Sequence, residues 1–375
     1  MKPIVMVDLA TQYQRMKVEI NAAISKVICS GQYIEGKVVQ DFSASLAAYT
    51  GAKYAIPCAN GTDALQIALM AVGLQAGDEV IIPDFAYVAA EEAVALLNLT
   101  PVPVDVDPLT FNIDVKKILV ALSLKTKAII PVHLFGQCSD MAPILKIARK
   151  NALYVIEDNA QSIGSVYTFP NGDRQQAGTI GDVGAVSFFP TKNLGCYGDG
   201  GALLTNNEEL AQKIQMIASH GQSRKYYHEV IGCNSRLDAL QAAVLNVKLP
   251  YLNTYIQSRQ QIAQAYDKAL AARPDLYETP ECLPASTHVY HQYTLKVKQN
   301  KRDDLQQYLK QKGVPTMIYY PAPLHKQPAF RGIIRIGSDW TETEQLCKSV
   351  LSLPIHTELD EEQIHYITDL LVNYE

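Results

Sequence analysis

The chain has 375 residues, of which 48% are hydrophobic and 19% are charged, and its formal net charge is −5. This length predicts one large and one smaller domain of an ordinary globular protein. The acidic balance argues against a nucleic-acid partner, which needs clustered Lys and Arg. No window approaches 18 uninterrupted apolar residues, so no membrane-spanning helix is predicted.

Seven cysteines are scattered along the chain, and none forms a CxxC pair. This pattern argues against a zinc or a redox site, and no metal is expected. Odd, dispersed cysteines are typical of a reducing compartment. Residues 1–10 lack the basic and apolar regions of a signal peptide, so a cytoplasmic location is expected.

Two helices are predicted first, over Gln12–Cys29 and Val39–Tyr49, with the loop Gly31–Gly36 between them. Short apolar strands then alternate with helices. The predicted strands are Glu79–Pro83, Val102–Val106, Lys127–Val132, Tyr154–Ile156 and Ala185–Phe189, and the helices are Ala64–Val72, Met141–Lys150 and Glu208–Ala218. This alternation predicts an α/β fold with a mostly parallel sheet, whose ligand site lies at the carboxyl ends of the strands.

The pattern changes after residue 236, where a long helical run, Leu237–Ala272, is interrupted at Pro250. We therefore predict a large domain over residues 1–250 and a small α+β domain over residues 251–375. The elements predicted after the long run are a strand near Val289–Val297, a helix at Asp303–Lys312, a strand near Thr316–Tyr320 and a closing helix near Glu361–Val372.

Lys192 is the first candidate for chemistry. It follows a buried strand that Pro190 ends, and four glycines stand within the seven residues from Gly195 to Gly201. A lysine shielded at a strand end has a lowered pKa and can act as a nucleophile that forms an imine. The alternative is an ordinary solvated lysine. A dinucleotide loop is disfavoured, because no GxGxxG motif opens a helix here.

Asp158 ends another apolar strand, directly after Glu157. A carboxylate at such a place can keep a pyridine nitrogen protonated, which lets the ring accept electrons. The alternative is an aspartate that caps a turn.

A phosphate cradle is predicted where a strand meets a helix at Asn60, Gly61 and Thr62. Free N–H groups and the helix dipole attract an anion there, although a plain helix cap has the same sequence. Tyr87 follows another strand end and could stack on a flat ring, or could be a core aromatic residue. Asn234 and Arg236 precede the long helix, where they could cap it or reach a phosphate or carboxylate.

These motifs together resemble a known family. Asn60–Leu65, Glu157–Gln161, Ser187–Lys192 and Asn234–Asp238 are similar to segments of the DegT/DnrJ/EryC1/StrS sugar aminotransferases. The resemblance covers nearly the whole chain, from the loop Gly31–Gly36 to the segment Tyr319–His325. It implies the fold type I of pyridoxal-phosphate enzymes, which resembles aspartate aminotransferase, and a homodimer with shared active sites.

The resemblance also implies roles for single residues. Lys192 would anchor pyridoxal phosphate covalently, and Asp158 would pair with its pyridine nitrogen. Gln161 would lie at the ring hydroxyl and Tyr87 on the ring face. The phosphate would be held by Gly61, Thr62 and Ser187 of one subunit together with Asn234 of the other. The sugar-nucleotide pocket would be lined by Tyr33, Arg236, Tyr319, Tyr320 and His325.

The implied reaction moves an amino group from L-glutamate to a keto-sugar carried by a nucleotide. Asp199 and the stretch His220–His228 resemble enzymes that aminate 3-keto sugars. The expected acceptor is therefore UDP-3-keto-N-acetylglucosaminuronate, for surface polysaccharides such as O-antigen. Alternative acceptors are dTDP-3-keto or 4-keto deoxysugars.

Three rival functions remain open at this point. A sugar dehydratase of the same superfamily would carry histidine in place of Lys192. A non-catalytic regulator would need a DNA-reading helix, for which the sequence has no basic candidate. A nicotinamide oxidoreductase would need a dinucleotide fingerprint near the first strand. His133 is expected to be a packed or capping histidine, and Asn159 stands where the family usually has a small residue.

Overall fold

The computed structural model describes residues 2–375, and none of the helices in this range is long and apolar enough to cross a membrane. The helices are α1 Leu9–Ser30, α2 Lys37–Thr50, α3 Gly61–Ala71, α4 Ala89–Leu96, α5 Val115–Ala121, α6 Met141–Asn151, α7 Glu208–Ala218, α8 Ala239–Lys248, α9 Leu252–Leu270, α10 Arg302–Gln311, α11 Thr341–Ser349 and α12 Glu361–Val372. The strands are β1 Tyr54–Cys58, β2 Glu79–Pro83, β3 Thr100–Val104, β4 Thr126–Ile129, β5 Tyr154–Asp158, β6 Val166–Thr168, β7 Arg174–Gln176, β8 Val183–Ser187, β9 Gly201–Thr205, β10 Gln222–Arg224, β11 Tyr227–His228, β12 Tyr277–Glu278, β13 Tyr293–Val297 and β14 Val350–Leu353.

A seven-stranded sheet in the order β1-β9-β8-β5-β4-β2-β3 forms the centre of the protein. Five of its strands are parallel neighbours, and only β9 runs antiparallel to the two strands beside it. Every residue of β2, β8 and β9 is buried, as expected for a sheet that helices cover on both faces. The predicted mostly parallel sheet is confirmed.

Helix α9 contributes side chains to two apolar cores. The C-terminal core is built around β13 and β14 and includes Ile262, Tyr266 and Leu270 of α9. The first half of α9 instead contributes Leu252 and Ile256 to a core beneath β8 and β9. Pro250 lies in a 3₁₀ turn, Leu249–Tyr251, between α8 and α9. The division at residue 250 into two domains remains a prediction.

One predicted strand is wrong. Residues 316–320 form no strand, and only Met317 pairs with Ser352. Pro315 and Pro321 flank this segment, and proline has no N–H to donate to a ladder. The partners of β13 are β12 and β14, in a small antiparallel sheet.

Candidate active site

The ends of neighbouring parallel strands bring the predicted residues together. Asp158 is the last residue of β5 and pairs with Ala185 of the adjacent β8, whose last residue is Ser187. The chain turns back after β8 through Pro190 and returns as β9. Lys192 lies on this turn, at the edge of the sheet where parallel strands place ligand sites.

Lys192 and Asp158 interact electrostatically. Burial lowers the pKa of the Lys192 amine to about 8, and the negative charge of Asp158 opposes that shift. Nζ of Lys192 makes no hydrogen bond to any residue between 2 and 375. An amine with this pKa has a substantial unprotonated fraction at neutral pH, so it can act as a nucleophile and carry a proton.

Asp158 is only 5% exposed. Burial raises its pKa, whereas the N–H of Ala160, 3.0 Å from Oδ1, and the charge of Lys192 act in the opposite direction. Oδ2 makes no hydrogen bond to any of the described residues. A buried carboxylate with a free oxygen beside a lysine is suited to a second cationic partner, such as a protonated ring nitrogen.

The N-terminus of α3 forms a cradle of donors. Asn60 caps the helix by accepting from the N–H of Asp63 at 2.8 Å. Among residues 2–375, no group accepts from the N–H of Gly61 or of Thr62. A Cβ added at Gly61 would lie 2.8 Å from Cβ of Ser187, so only glycine keeps this space open. Free N–H groups at a helix N-terminus bind phosphate.

Gln161 and two tyrosines form one wall of the site. Oε1 of Gln161 accepts from the N–H of Phe135 at 2.7 Å, and Nε2 donates to the Tyr320 hydroxyl at 3.4 Å. The ring centroids of Tyr87 and Tyr320 are 6.4 Å apart. Tyr87 is 58% exposed, which excludes the alternative of a core aromatic residue and leaves its ring free to stack on a ligand.

A second group approaches the cradle from the start of α8. Oγ of Ser235 accepts from the N–H of Ala59 at 3.0 Å, which fixes the backbone between Asn234 and Arg236 next to the end of β1. Asn234 is exposed and Arg236 is partly buried. Tyr33 is tied to the same place, because its carbonyl accepts from the N–H of Ala239 at 2.9 Å.

His325 is engaged in packing contacts. Its Nδ1 lies 2.6 Å from Oδ2 of Asp84, and its ring stacks on Trp340 at 4.0 Å between centroids. Tyr319 is partly buried, with its ring 5.9 Å from that of Tyr320. The roles of Tyr319 and His325 in substrate binding remain predictions, and the contacts of His325 give it a structural role as well.

Asn159 and His133 are explained by their contacts. Nδ2 of Asn159 donates to the carbonyl of Ala177 at 2.8 Å, which ties the end of β5 to the loop before β8. Nε2 of His133 lies 2.8 Å from Oε2 of Glu157, and both side chains are fully buried. The prediction of a packed His133 is confirmed.

The sequence did not point to His291 or Asn193. His291 is 5% exposed, and burial together with the charges of Lys192 and Arg259 lowers its pKa well below the usual value. Nδ2 of Asn193 donates to the carbonyl of Val289 at 3.0 Å. Their Nδ1 and Oδ1 atoms have no partner among the described residues. His291 precedes a strand of the small sheet, so no local motif marks it as a neighbour of Lys192.

The residues present fit pyridoxal phosphate. A partly buried amine with a lowered pKa, a carboxylate with a free oxygen and a cradle with two free N–H groups match an aldehyde, a pyridine nitrogen and a phosphate. Gly201 supports the cradle, because a Cβ there would lie 2.4 Å from the carbonyl of Asn60.

Comparison with known proteins places this arrangement in a family. The profile of the DegT/DnrJ/EryC1/StrS aminotransferase family matches residues 14–372. A "pleiotropic regulatory protein" of Geobacillus stearothermophilus is 46% identical over 98% of both chains. The UDP-2-acetamido-2-deoxy-3-oxo-D-glucuronate aminotransferase of Pseudomonas aeruginosa is 46% identical over 98% of this chain and 99% of its own.

Solved structures agree with this placement. A DegT DnrJ EryC1 StrS aminotransferase from Brucella abortus superimposes with a TM-score of 0.93 at 39% identity, over 98% of both chains. The Bacillus subtilis protein ntda, solved with the bound cofactor PMP, superimposes with a TM-score of 0.86 at 34% identity, over 95% of this chain and 81% of its own. The fold is that of the type I pyridoxal-phosphate enzymes.

Proposed function

This chain belongs to the DegT/DnrJ/EryC1/StrS aminotransferase family, and we propose that it transfers an amino group from L-glutamate to UDP-3-keto-N-acetylglucosaminuronate. It is a pyridoxal-phosphate-dependent aminotransferase of sugar nucleotides. The observation that carries the proposal is the electrostatic pairing of partly buried Lys192 with buried Asp158, at strand ends next to the phosphate cradle. Lys192 is also the residue that the dehydratases of this superfamily replace by histidine.

When bound, pyridoxal phosphate supplies an aldehyde carbon that bonds to amines and a protonated ring that withdraws electrons. The free N–H groups at the start of α3 would hold its phosphate, and the exposed ring of Tyr87 would stack on its ring. The residues that would hold it are Lys192, Asp158, Gln161, Tyr87, Gly61, Thr62, Ser187 and Asn234 of a second subunit.

Asp158 keeps a negative charge where the ring nitrogen would lie. A carboxylate in a dry place favours the protonated form of a basic nitrogen beside it, because the two opposite charges stabilise each other. The N–H of Ala160 holds one carboxylate oxygen, so the other oxygen is left to accept from the ring nitrogen.

Lys192 carries the proton that the reaction moves. With a pKa of about 8, its amine can take a proton from the α-carbon of the amino-acid donor and return one to the carbon that accepts the amino group. The reverse transfer on the sugar uses the same amine at the same place.

The choice of a 3-keto uronate rests on likeness. The Pseudomonas relative carries that substrate in its name, and Asp199 with the stretch His220–His228 resembles 3-keto-sugar enzymes. The test is to treat the loaded protein with L-glutamate and then offer UDP-linked and dTDP-linked 3-keto and 4-keto sugars, with and without a carboxylate. We expect mass spectrometry to show the aminated UDP-uronate. Amination of a dTDP-deoxysugar alone would contradict the substrate and leave the reaction class intact.

We also infer a homodimer in which Asn234 reaches the phosphate bound by the other subunit. Asn234 is exposed, and beside it Tyr226 is 79% and Ile231 87% exposed. Apolar exposure of this kind is typical of an interaction surface. A hybrid dimer of Lys192→Ala and Asn234→Ala subunits has one intact site if the site is shared. We expect it to bind cofactor more tightly than either parent, and an unchanged affinity would contradict sharing.

We place the enzyme in the cytoplasm. All seven cysteines are unpaired, which fits a reducing compartment. An amino sugar on a nucleotide is a building block for surface polysaccharides such as O-antigen, and this is the pathway class that we propose.

A further inference from the structure

Lys248 is a buried lysine that the reaction does not use. It is the last residue of α8 and is 1% exposed. Its Nζ donates to the carbonyl of Gly195 at 2.7 Å and lies 4.4 Å from the ring centroid of Tyr197. No carboxylate of residues 2–375 lies within ion-pair distance of it. Burying a charge without a counter-ion costs stability, so the buried ammonium of Lys248 suggests a specific structural role.

The bond reaches the turn that carries Lys192. The N–H of Lys192 donates to the carbonyl of Phe189 at 2.8 Å, and the N–H of Cys196 donates to the carbonyl of Phe188 at 2.8 Å. A Cβ at Gly195 would lie 2.3 Å from the carbonyl oxygen of Pro190. The turn is thus closed on itself, and the carbonyl of Gly195 faces the helix instead.

The same helix holds the turn a second time. Oε1 of Gln241 accepts from the N–H of Tyr197 at 2.8 Å, and its Nε2 donates to the carbonyl of Tyr197 at 3.1 Å. Residues 195 and 197 are therefore both fixed to α8. One of the two attachments carries a positive charge, and hydrogen bonds from charged donors are roughly twice as strong as neutral ones.

Lys192 cannot fix its own amine. Its Nζ has no hydrogen-bond partner among the described residues, which leaves it free to bond and to move a proton. The direction of its side chain must therefore come from the backbone of the turn. Catalytic groups need to be held to within about 0.5 Å by surrounding contacts.

We propose that Lys248 is a positioning residue for Lys192, and that its ammonium holds the turn Phe189–Tyr197 against α8 through the carbonyl of Gly195. The proposal rests on Lys192 being the anchor of the cofactor. The titratable groups that face Lys248 are the thiol of Cys196 and the phenol of Tyr197. Burial lowers the pKa of Lys248 to about 8, so the charged attachment is present below that pH and is lost above it.

The test compares Lys248→Met, Lys248→Arg and Lys296→Met. Lys296 is the control, because this lysine of the small sheet also donates from Nζ to a backbone carbonyl, that of Pro108 at 2.9 Å, away from the turn; unlike Lys248, it also pairs with the carboxylate of Glu278. Two quantities are measured on the cofactor-free protein: amide exchange of the peptide Phe189–Tyr197, and the reactivity of Lys192 towards trace acetic anhydride. A third is the rate of cofactor loss from the loaded protein.

We expect Lys248→Met to speed exchange of this peptide about tenfold and to change Lys192 reactivity at least about threefold. Cofactor loss should be faster, and Lys248→Arg should restore all three quantities. Lys296→Met should lower the melting temperature only. If Lys248→Met behaves like Lys296→Met, the positioning role is wrong.

A pH series keeps the test decisive if Lys248→Met does not fold. Exchange of the turn, corrected for its intrinsic pH dependence, should rise above about pH 8 in the unchanged protein and stay flat in Lys248→Arg. Equal curves would overturn the proposal. A separate measurement tests whether borohydride reduction leaves the cofactor on Lys192 of the unchanged protein. Its absence there would refute Lys192 as the cofactor anchor, and not only the positioning role of Lys248.

Discussion

Lys192 and Asp158 act as one unit at the scale of single residues. The negative charge of Asp158 raises the pKa of Lys192, which burial alone would lower further, and the charge of Lys192 lowers the pKa of Asp158. Each group therefore stabilises the charged form of the other, although burial disfavours both charges. The pair supplies the amine and the carboxylate that the proposed chemistry needs.

Replacing Asp158 by Asn tests this coupling directly. Without the carboxylate charge, the pKa of Lys192 should fall below its present value of about 8, so that its amine reacts faster with trace anhydride at pH 7. Transamination should fall by about 10²-fold or more, because the ring nitrogen loses its partner. An unchanged Lys192 pKa would show that the two groups are uncoupled, and near-normal turnover would refute the role of Asp158.

Gly61→Ala tests the cradle. The added Cβ would lie 2.8 Å from Cβ of Ser187, and overpacking of this kind costs about 1–3 kcal/mol. We expect cofactor affinity to fall by roughly one order of magnitude, as measured by fluorescence titration. If Gly61→Ala binds cofactor normally, the phosphate lies elsewhere.

Local sequence predicted the residues that stand at strand ends. Lys192, Asp158 and the start of α3 each carry a motif within a few residues, and the sheet brings these motifs together. His291 and Lys248 carry none, because tertiary packing brings His291 near Lys192 and brings Lys248, at the end of α8, to the carbonyl of Gly195. Only a structure places such residues.

At the scale of elements, helices and strands with a regular apolar pattern were predicted well. Segments whose structure depends on neighbouring glycines or prolines were not. The predicted bounds of β2, α7 and α12 agree with the structure to within a residue at either end. β9 was missed because the glycines at its start, Gly200 just before the strand and Gly201 in it, suggested a ligand loop instead of a strand. The false strand at Thr316–Tyr320 was apolar and aromatic, but prolines on both sides limit its pairing.

Helix α4 contains an uncompensated acid. Glu91 is fully buried, neither of its carboxylate oxygens has a partner among the described residues, and burial raises its pKa to about 8, with the charge of Asp84 adding to the effect. The unfolded chain releases this proton near pH 4.5, whereas the native protein holds it until about pH 8. The group therefore lowers stability progressively as the pH rises between these values.

Glu91→Gln should remove this penalty. We expect the free energy of unfolding at pH 8 to rise by about 1–3 kcal/mol, since a buried amide still lacks partners, and its decline between pH 5 and 8 to flatten. Urea titrations across this range measure both. The neighbouring Glu92→Gln is the control, because Glu92 is exposed and its replacement should change little. Equal pH profiles for the two variants would contradict a buried Glu91.

At the scale of the whole molecule, α9 joins the central core to the C-terminal one. Buried Arg259 in this helix donates from Nη1 to the carbonyls of Tyr290, His291 and Ile355. Three histidines lie near this junction, and burial lowers the pKa of His288 to about 3, of His356 to about 4 and of His291 well below its usual value. The native junction therefore holds three neutral imidazoles.

These histidines predict a loss of stability in acid. Below about pH 6.5 the histidines of the unfolded chain become protonated, whereas the buried native imidazoles stay neutral. The free energy of unfolding therefore falls as the pH drops. His356→Asn should flatten this fall by about 1 kcal/mol per pH unit between pH 4.5 and 6. The control is His365→Asn at an exposed position. Identical slopes in the two variants would show that His356 is protonated in the native state.

The covalent identity of the cofactor anchor tests the account most directly. The protein is loaded with pyridoxal phosphate, reduced with borohydride, digested and analysed by mass spectrometry. The account predicts the mass of the reduced cofactor on Lys192, and no such mass in the same peptide of Lys192→Ala. The cofactor mass on another lysine, with Lys192 unmodified, would contradict it.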